Sequence, residues 1–169
     1  IFLAETRVTG IQTEIDDKIK VLVAASGIIP IFGFKEWEYD NLGEVLIYPH
    51  SFGKDFALEG EDRNVLGMVG TGIMSGLMIL SKNALLKGFK DAKDGRNTAI
   101  HEFIHLIDAK DGDFDGIPAL LSKQYIVPWL DLMYQEIQKI KDNTSSLNPY
   151  GATNEVEFFA VASEYFFEQ

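Results

Sequence analysis

The amino-acid sequence predicts a fold that combines several helices with a few short strands. Apolar residues recur at helical spacing in several segments, and two short apolar segments are bounded by proline or glycine, as strands often are. The chain has 169 residues, of which 46% are hydrophobic and 12% aromatic, which is enough material for an ordinary core. We therefore expect residues 1–169 to form a single domain.

The first half of the chain is predicted to contain one helix and two strands. Residues 13–25 carry apolar side chains at helical spacing, and Gly27 follows them as a stop signal. Residues 44–48 form a short apolar run that ends at Pro49, which indicates a strand. Residues 77–81 follow a glycine-rich stretch and predict a second strand, whose exposed edge is a candidate binding site for an extended ligand.

The second half of the chain is predicted to be mainly helical. Asn97 is a typical N-cap, and we expect a helix over residues 99–109. Helical periodicity then returns as far as about Lys141, where Pro128 should split or kink the helix because proline lacks a backbone N–H. Residues 153–167 predict a final amphipathic helix.

Charge and composition argue against several functions. With 26 acidic and 15 basic residues the formal charge is -11, which disfavours direct binding to nucleic acid. The chain has no cysteine, so any metal must be bound by His, Asp or Glu. The longest apolar stretch, residues 65–80, is interrupted by glycines and predicts no membrane span. The first residue, Ile1, favours a processed or truncated chain, and we expect a cytoplasmic protein.

The sequence from His101 to His105 has the form HExxH, which points to a zinc site. Two imidazoles four residues apart on a helix have Cβ atoms about 5–6 Å apart and can bind one ion. Glu102 lies beside that ion, where its carboxylate can take a proton from metal-bound water. The alternative is a pair of structural histidines, but this helix is apolar almost all round, and unpaired histidines buried there would be costly.

A catalytic zinc ion normally keeps three protein ligands, so one further ligand is needed. His50 is one candidate, although a histidine after Pro49 is more typical of an exposed turn. The last helix offers further candidates. Glu157 precedes a run of apolar residues that would hold its backbone in the core, where a carboxylate needs a partner. The glutamates of this helix that we considered are Glu155, Glu157, Glu164 and Glu168.

Two other carboxylates are candidates to support a ligand. Asp108 follows His105 by three residues and either accepts its ring N–H or simply ends the helix. Glu164 follows Glu157 by seven residues on the same helix face, and it either supports a zinc ligand or is exposed. Residues 111–116 look superficially like a calcium loop but lack the glutamate in register that such a loop needs. We therefore expect a turn that packs near the site.

Two long segments resemble one family of peptidases. They read HEFIHLIDAKDGDFDGIP at residues 101–118 and YGATNEVEFFAVASEYFFE at residues 150–168. Both are similar to the Mlc titration factor A family of zinc peptidases, also called the glucose-regulated metallopeptidase family. The second segment also resembles the catalytic domain of anthrax lethal factor. This sequence has Ser81-Lys82 where the family usually has Ser-Trp, which affects the substrate groove more than the metal.

The resemblance implies an α+β, zincin-like fold with the active-site helix under a small mixed sheet and the third ligand on a later helix. It also implies Zn²⁺ bound by His101, His105 and Glu157, with Tyr150 beside the metal as a donor to the oxyanion. With Glu102 as general base, the predicted activity is hydrolysis of a peptide or protein substrate.

A second hypothesis is a regulatory binding module. The family's name records the sequestration of a transcriptional repressor, and an acidic surface suits a basic partner. A structural zinc site is a weaker alternative, because such a site would be closed by a fourth protein ligand and would have no use for Glu102.

Overall fold

The computed structural model describes residues 2–34, 36–59, 62–91 and 93–169. It is an α+β structure in which helices pack against one small mixed sheet. The strands are β1 (Arg7–Gly10), β2 (Leu42–Tyr48), β3 (Gly67–Val69) and β4 (Gly76–Ser81). The helices are α1 (Phe2–Glu5), α2 (Asp17–Ile31), α3 (Lys82–Gly88), α4 (Thr98–Asp108), α5 (Ile126–Lys141) and α6 (Glu155–Phe167).

The sheet has the strand order β1-β2-β4-β3. Strands β1, β2 and β4 are parallel to one another, whereas β3 pairs with β4 in the antiparallel direction. Strand β4 therefore lies inside the sheet, and the prediction that residues 77–81 form an exposed edge was wrong. The edge on this side of the sheet is β3, whose three residues, Gly67, Met68 and Val69, are too short a run to give a strand pattern.

Helix α4 lies in the centre of the molecule, as its apolar composition predicted. Asn97 caps it by accepting a hydrogen bond from the Ile100 backbone N–H at 3.2 Å, so the predicted start of this helix is confirmed. Ile100, Phe103 and Ile107 are fully buried and belong to the main hydrophobic core, together with residues of β2, β4 and α2. This packing fixes the helix that carries the HExxH motif.

Helix α2 continues through Gly27, which the sequence indicated as a stop. Asp16 caps its start by accepting from the Ile19 N–H at 2.8 Å, and the helix ends only at Ile31. A Cβ atom on Gly27 would lie 2.9 Å from Cε1 of Phe103. This glycine therefore allows α2 to pack closely on α4 and does not end the helix.

Pro128 neither splits nor kinks the fifth helix, contrary to the sequence prediction. Helix α5 begins at Ile126, so Pro128 lies in its first turn, where a backbone N–H has no partner within the helix. Helix α6 begins at Glu155, two residues later than predicted, because Asn154 caps it. Within the described ranges, no helix is both long and apolar enough to cross a membrane.

Candidate metal centre

Helices α4 and α6 pack against each other and bring His101, His105 and Glu157 together. The Oε2 atom of Glu157 lies 3.0 Å from Nε2 of His101 and 3.7 Å from Nε2 of His105. All three ligand atoms lie within 4.8 Å of one another. Ligand atoms around a tetrahedral zinc ion with bonds of about 2.0–2.1 Å are about 3.3 Å apart. The three residues that the sequence singled out therefore fit one metal ion.

The position of Glu157 follows from how α6 begins. The side chain of Asn154 accepts a hydrogen bond from the Glu157 backbone N–H at 2.9 Å, which fixes the first turn of the helix. The next residue, Phe158, is buried in a cluster with Met133 and Ile137 of α5. A polar cap and an apolar anchor thus hold the Glu157 backbone in place and direct its side chain at α4.

Glu164 lies two turns after Glu157 on the same face of α6, and it also contacts His101. Its Oε1 is 2.5 Å from Nδ1 of His101, so each ring nitrogen of this histidine faces a carboxylate. Its Oε2 accepts from the Asn97 backbone N–H at 2.7 Å, at the first turn of α4. Glu164 is buried and supports His101, so the reading of Glu164 as an exposed residue was wrong.

The two histidines have opposite pKa shifts. Burial acts to lower the pKa of His101, but its hydrogen bonds to Glu157 and Glu164 outweigh burial and raise the pKa to about 10. Burial, together with the charge of His101, lowers the pKa of His105 to about 4, although Glu157 opposes this shift. The contact between Nε2 of His101 and Glu157 therefore holds a proton where a metal ion would take its place.

Glu102 is buried next to this cluster. Burial raises its pKa to about 7; the charge of His101 opposes this shift, whereas Glu157 and Glu164 add to it. Gly67 of β3 lies directly against it, since a Cβ atom there would be 2.6 Å from Cγ and Oε1 of Glu102. Gly67 could not be predicted from the sequence, because one glycine among several in residues 60–76 carries no signal for this contact.

Tyr150 lies at the mouth of the same site. Asn148 caps its turn by accepting from the Tyr150 N–H at 3.1 Å, and the ring centroid is 6.1 Å from that of His101. Burial, together with the charge of Glu157, raises the pKa of Tyr150 to about 12. Its side chain is about half exposed and lines the groove beside the cluster.

Asp108 makes no hydrogen bond to His105 in the described residues, although the sequence left that interaction open. One oxygen, Oδ2, accepts from the Gly116 backbone N–H at 3.1 Å and so ties residues 111–116 to the end of α4. The other oxygen and Nδ1 of His105 are both buried and have no hydrogen-bond partner in the described parts of the chain. Burial raises the pKa of Asp108 to about 6.

An open groove of about 950 Å³ runs past the cluster. Gly67, Val69 and Tyr150 are among the residues that line it, together with the metal-site residues. His50 lines it too, but it is exposed and shares a hydrogen bond with Asn83 at 3.1 Å. Among the described residues, the third potential ligand that lies close to His101 and His105 is Glu157 and not His50.

A family model confirms the resemblance noted in the sequence. The model described as Glucose-regulated metallo-peptidase M90 matches residues 1–169. A centre with two histidines and a glutamate on adjacent helices is typical of metallopeptidases. The chain belongs to the glucose-regulated metallo-peptidase M90 family.

Individual relatives agree with this family. The chain is 32% identical to Mlc titration factor A of Salmonella arizonae over 98% of its own length and 70% of that protein's. It is 30% identical to Mlc titration factor A of Escherichia fergusonii, covering 98% of the chain and 66% of that protein. An uncharacterised protein of Synechocystis is 28% identical over 100% of the chain and 66% of its own length. The chain thus spans about two thirds of the length of these relatives.

Proposed function

We propose that this chain is a zinc-dependent peptidase in which His101, His105 and Glu157 bind Zn²⁺ and Glu102 is the general base. The observation that carries this proposal is the convergence of the three ligand atoms within 4.8 Å beside the buried Glu102. A set of three protein ligands leaves the fourth position of a tetrahedral ion open to water or substrate, as in catalytic zinc sites.

The donor set favours zinc over the other common metals. Two imidazole nitrogens with one carboxylate oxygen suit Zn²⁺, whereas Ca²⁺ and Mg²⁺ prefer all-oxygen sites. When bound, the zinc ion would polarise the scissile carbonyl and lower the pKa of its bound water from about 15.7 towards 7. The buried carboxylates supply the negative charge that such an ion needs, and Glu164 holds His101 in the orientation for binding.

Glu102 and Tyr150 would carry the proton transfer and the charge stabilisation. Glu102 takes a proton from the attacking water and gives it to the leaving amine, for which a pKa of about 7 is well matched. Tyr150 stays protonated at neutral pH because its pKa is about 12, so its hydroxyl remains a donor for the oxyanion.

The proposed architecture is a zincin-like single domain over residues 1–169. Helix α4 carries the HExxH motif and packs on β3 and β4, and the third ligand comes from α6, the last helix of the described chain. Both features support the zincin assignment. The groove beside β3 is where we expect the peptide substrate to bind.

The test of the proposal is the Glu102→Gln variant. We expect about one zinc ion per chain in both proteins, with peptide hydrolysis reduced by about 10²–10⁴-fold in the variant, since a general base contributes roughly that much. Glu14→Gln is a matched control, because Glu14 is exposed and does not line the groove. Unchanged hydrolysis in Glu102→Gln would rule out this residue as the base.

Tyr150→Phe tests the second assignment. Removing one donor to an oxyanion costs about 10²–10³-fold in kcat at well-ordered sites, and we expect a loss of that order with KM little changed. Turnover equal to wild type would show that Tyr150 only packs beside the site.

A second candidate function is a regulatory binding module that sequesters a transcriptional repressor. It is supported by the name Mlc titration factor A of the relatives and by the formal charge of -11, which suits a basic partner. Glu102→Gln separates the two functions, because the variant should lose hydrolysis and keep partner binding. The two functions are compatible in one protein.

A further inference from the structure

We infer that one end of the groove binds a carboxylate of the substrate through Lys54, Lys87 and Arg96. This inference rests on the proposed peptidase function and adds the class of substrate. The preferred peptides carry an acidic side chain, or their free C-terminal carboxylate, within a few residues of the scissile bond.

The charges that line the groove are separated by sign. The acidic residues of the described lining are Glu102, Glu157 and Glu164, all of which belong to the metal cluster. The basic lining residues are Lys54, Lys87 and Arg96. The whole chain has 26 acidic and 15 basic residues, so these three side chains have the opposite sign to the net charge of the chain. A local positive region in an acidic protein attracts anionic groups.

The three basic side chains are available to a ligand. All three are exposed, and none takes part in an ion pair or side-chain hydrogen bond within the described ranges. Some other lysines are paired, since Lys110 pairs with Asp40 and Lys139 pairs with Glu136 at 2.8 Å. The groove cations are therefore not used for internal pairing.

Two of these cations are brought to one wall by the packing of α3 on α4. Lys87 lies in the last turn of α3, and Arg96 directly precedes the Asn97 cap of α4. The two elements are in close contact there, since a Cβ atom on Gly88 would lie 2.8 Å from Cγ of Asn97. The wall is thus continuous from α3 to the first turn of the motif helix.

The free edge of β3 ends where Phe52 bridges to Val65. In the antiparallel pairing with β4, Leu66 and Gly70 bond to β4, so the N–H and C=O groups of Gly67 and Val69 point to the free edge. Val65 has the same orientation, but Phe52 already bonds to it in both directions at 3.0 Å. Lys54 follows two residues after Phe52.

This arrangement closes one end of the groove. A peptide that pairs with Gly67 and Val69 cannot extend the pairing to Val65, because Phe52 already pairs with that residue. Lys54, Lys87 and Arg96 line the same groove. We expect them to attract a carboxylate at that point, whereas a neutral amide or a basic side chain is not attracted.

The first test compares matched peptides as substrates. One series places Glu, Gln or Lys at each position within three residues of the scissile bond, and a second compares a free C-terminal acid with its amide. Exposed ion pairs are individually weak, so two or three of them should together raise kcat/KM by about 2-fold to 100-fold for a carboxylate at the correct position. The two series distinguish a side-chain carboxylate from the chain terminus. Equal kcat/KM throughout both series would overturn the inference.

The second test uses charge reversal with a control of equal net charge. Lys87→Glu/Arg96→Glu should abolish the preference for the carboxylate, whereas Lys90→Glu/Lys93→Glu should keep it. Lys90 and Lys93 are exposed neighbours that do not line the groove. The preference of the wild type should also shrink between low salt and about 0.5 M salt, because exposed charges are screened. A preference that survives charge reversal would contradict the inference.

Binding measurements separate this inference from the proposed function. The dissociation constants of the same peptides are measured on the Glu102→Gln protein, where no turnover is required. The inference is supported if the carboxylate peptides bind more tightly and if Lys87→Glu/Arg96→Glu removes this difference. This holds even when the wild type hydrolyses none of the peptides. That lack of hydrolysis would instead count against the peptidase proposal. Equal binding of all peptides would overturn the inference alone.

Discussion

The two histidines of the metal centre lie one turn apart on α4, yet the protein holds them differently. His101 has a carboxylate at each ring nitrogen, with Glu157 on one side and Glu164 on the other. His105 faces Glu157 at 3.7 Å through Nε2, and its Nδ1 has no hydrogen-bond partner in the described residues. Helix α6 therefore orients the first histidine directly, whereas core packing of α4 orients the second.

This difference shows how one helix can organise most of a metal site. Glu157 and Glu164 lie seven residues apart on the same face of α6, and both reach His101. The same two carboxylates give His101 its high pKa, whereas burial and the charge of His101 outweigh Glu157 at His105 and lower its pKa. Changes in α6 should therefore act first through His101.

The largest effect is expected from Glu157→Gln, which removes the carboxylate shared by both histidines. An amide is a weaker ligand and leaves the two histidines without their negative partner. We therefore expect zinc affinity to fall by more than about 100-fold, which exceeds the loss typical of residues that only hydrogen-bond to a ligand. Titration with zinc in competition with a chelator measures this. Glu155→Gln, at the start of the same helix, is the matched control and should bind zinc as the wild type does.

Glu164→Gln should lower zinc affinity less than Glu157→Gln does, because Glu164 contacts only one of the two histidines, His101. The amide keeps the size of the side chain but loses the charge that fixes the ring, and such supporting carboxylates are worth about 10–100-fold in metal affinity. The same chelator competition applies. An affinity equal to wild type would mean that His101 is oriented by packing, as we argue for His105, and the contrast between the two histidines would disappear.

Gly67→Ala should alter turnover without altering the metal. The added Cβ atom would lie 2.6 Å from Oε1 of Glu102, so Glu102, the proposed general base, must move, and we expect both histidines to keep their places. We expect a loss of about 10-fold or more in kcat, because misplacing a reacting group by about 1 Å is costly. Loss of zinc in this variant would contradict the view that β3 positions only Glu102.

Asp108→Asn should have the smallest effect on zinc, because Asp108 makes no hydrogen bond to His105 in the described residues. Its effect should appear in stability instead. The pKa of Asp108 is raised to about 6 from the ordinary 3.8, so the folded state favours the protonated form. That stabilisation is present below pH 3.8 and is lost as the pH rises to about 6.

Denaturant unfolding of the metal-free protein at several pH values measures this change. Relative to Asp108→Asn, the wild type should lose stability between about pH 4 and pH 6. A constant difference across that range would show that Asp108 is not held in its protonated form by burial.

Local signals in the sequence predicted most of the site. The Asn97 cap, the HExxH spacing and the resemblance of residues 150–168 together identified α4, both histidines and Glu157. These features depend on residues that are close together in the chain, so they can be recognised from the sequence alone. The support of His101 by Glu164 stayed open, because it depends on how α6 packs on α4.

The features that were mispredicted depend on long-range packing. Gly27 has the composition of a helix stop, but its role is set by the ring of Phe103 more than seventy residues later. The effect of Pro128 depends on where the helix begins, because a proline in the first turn removes no hydrogen bond of the helix. Periodicity did not show that α5 begins at Ile126. The edge strand β3 is three residues long and is defined only by its pairing with β4.

The most direct test of the account is zinc-edge X-ray absorption on the purified chain after equilibration with zinc and removal of excess metal. The account predicts about one zinc per chain with two imidazole nitrogens at about 2.0–2.1 Å and a carboxylate oxygen at about 2.0–2.2 Å. In His105→Ala the spectrum should show one imidazole fewer or no zinc at all. A wild-type chain without zinc, or with an all-oxygen coordination shell, would contradict the His101, His105 and Glu157 site.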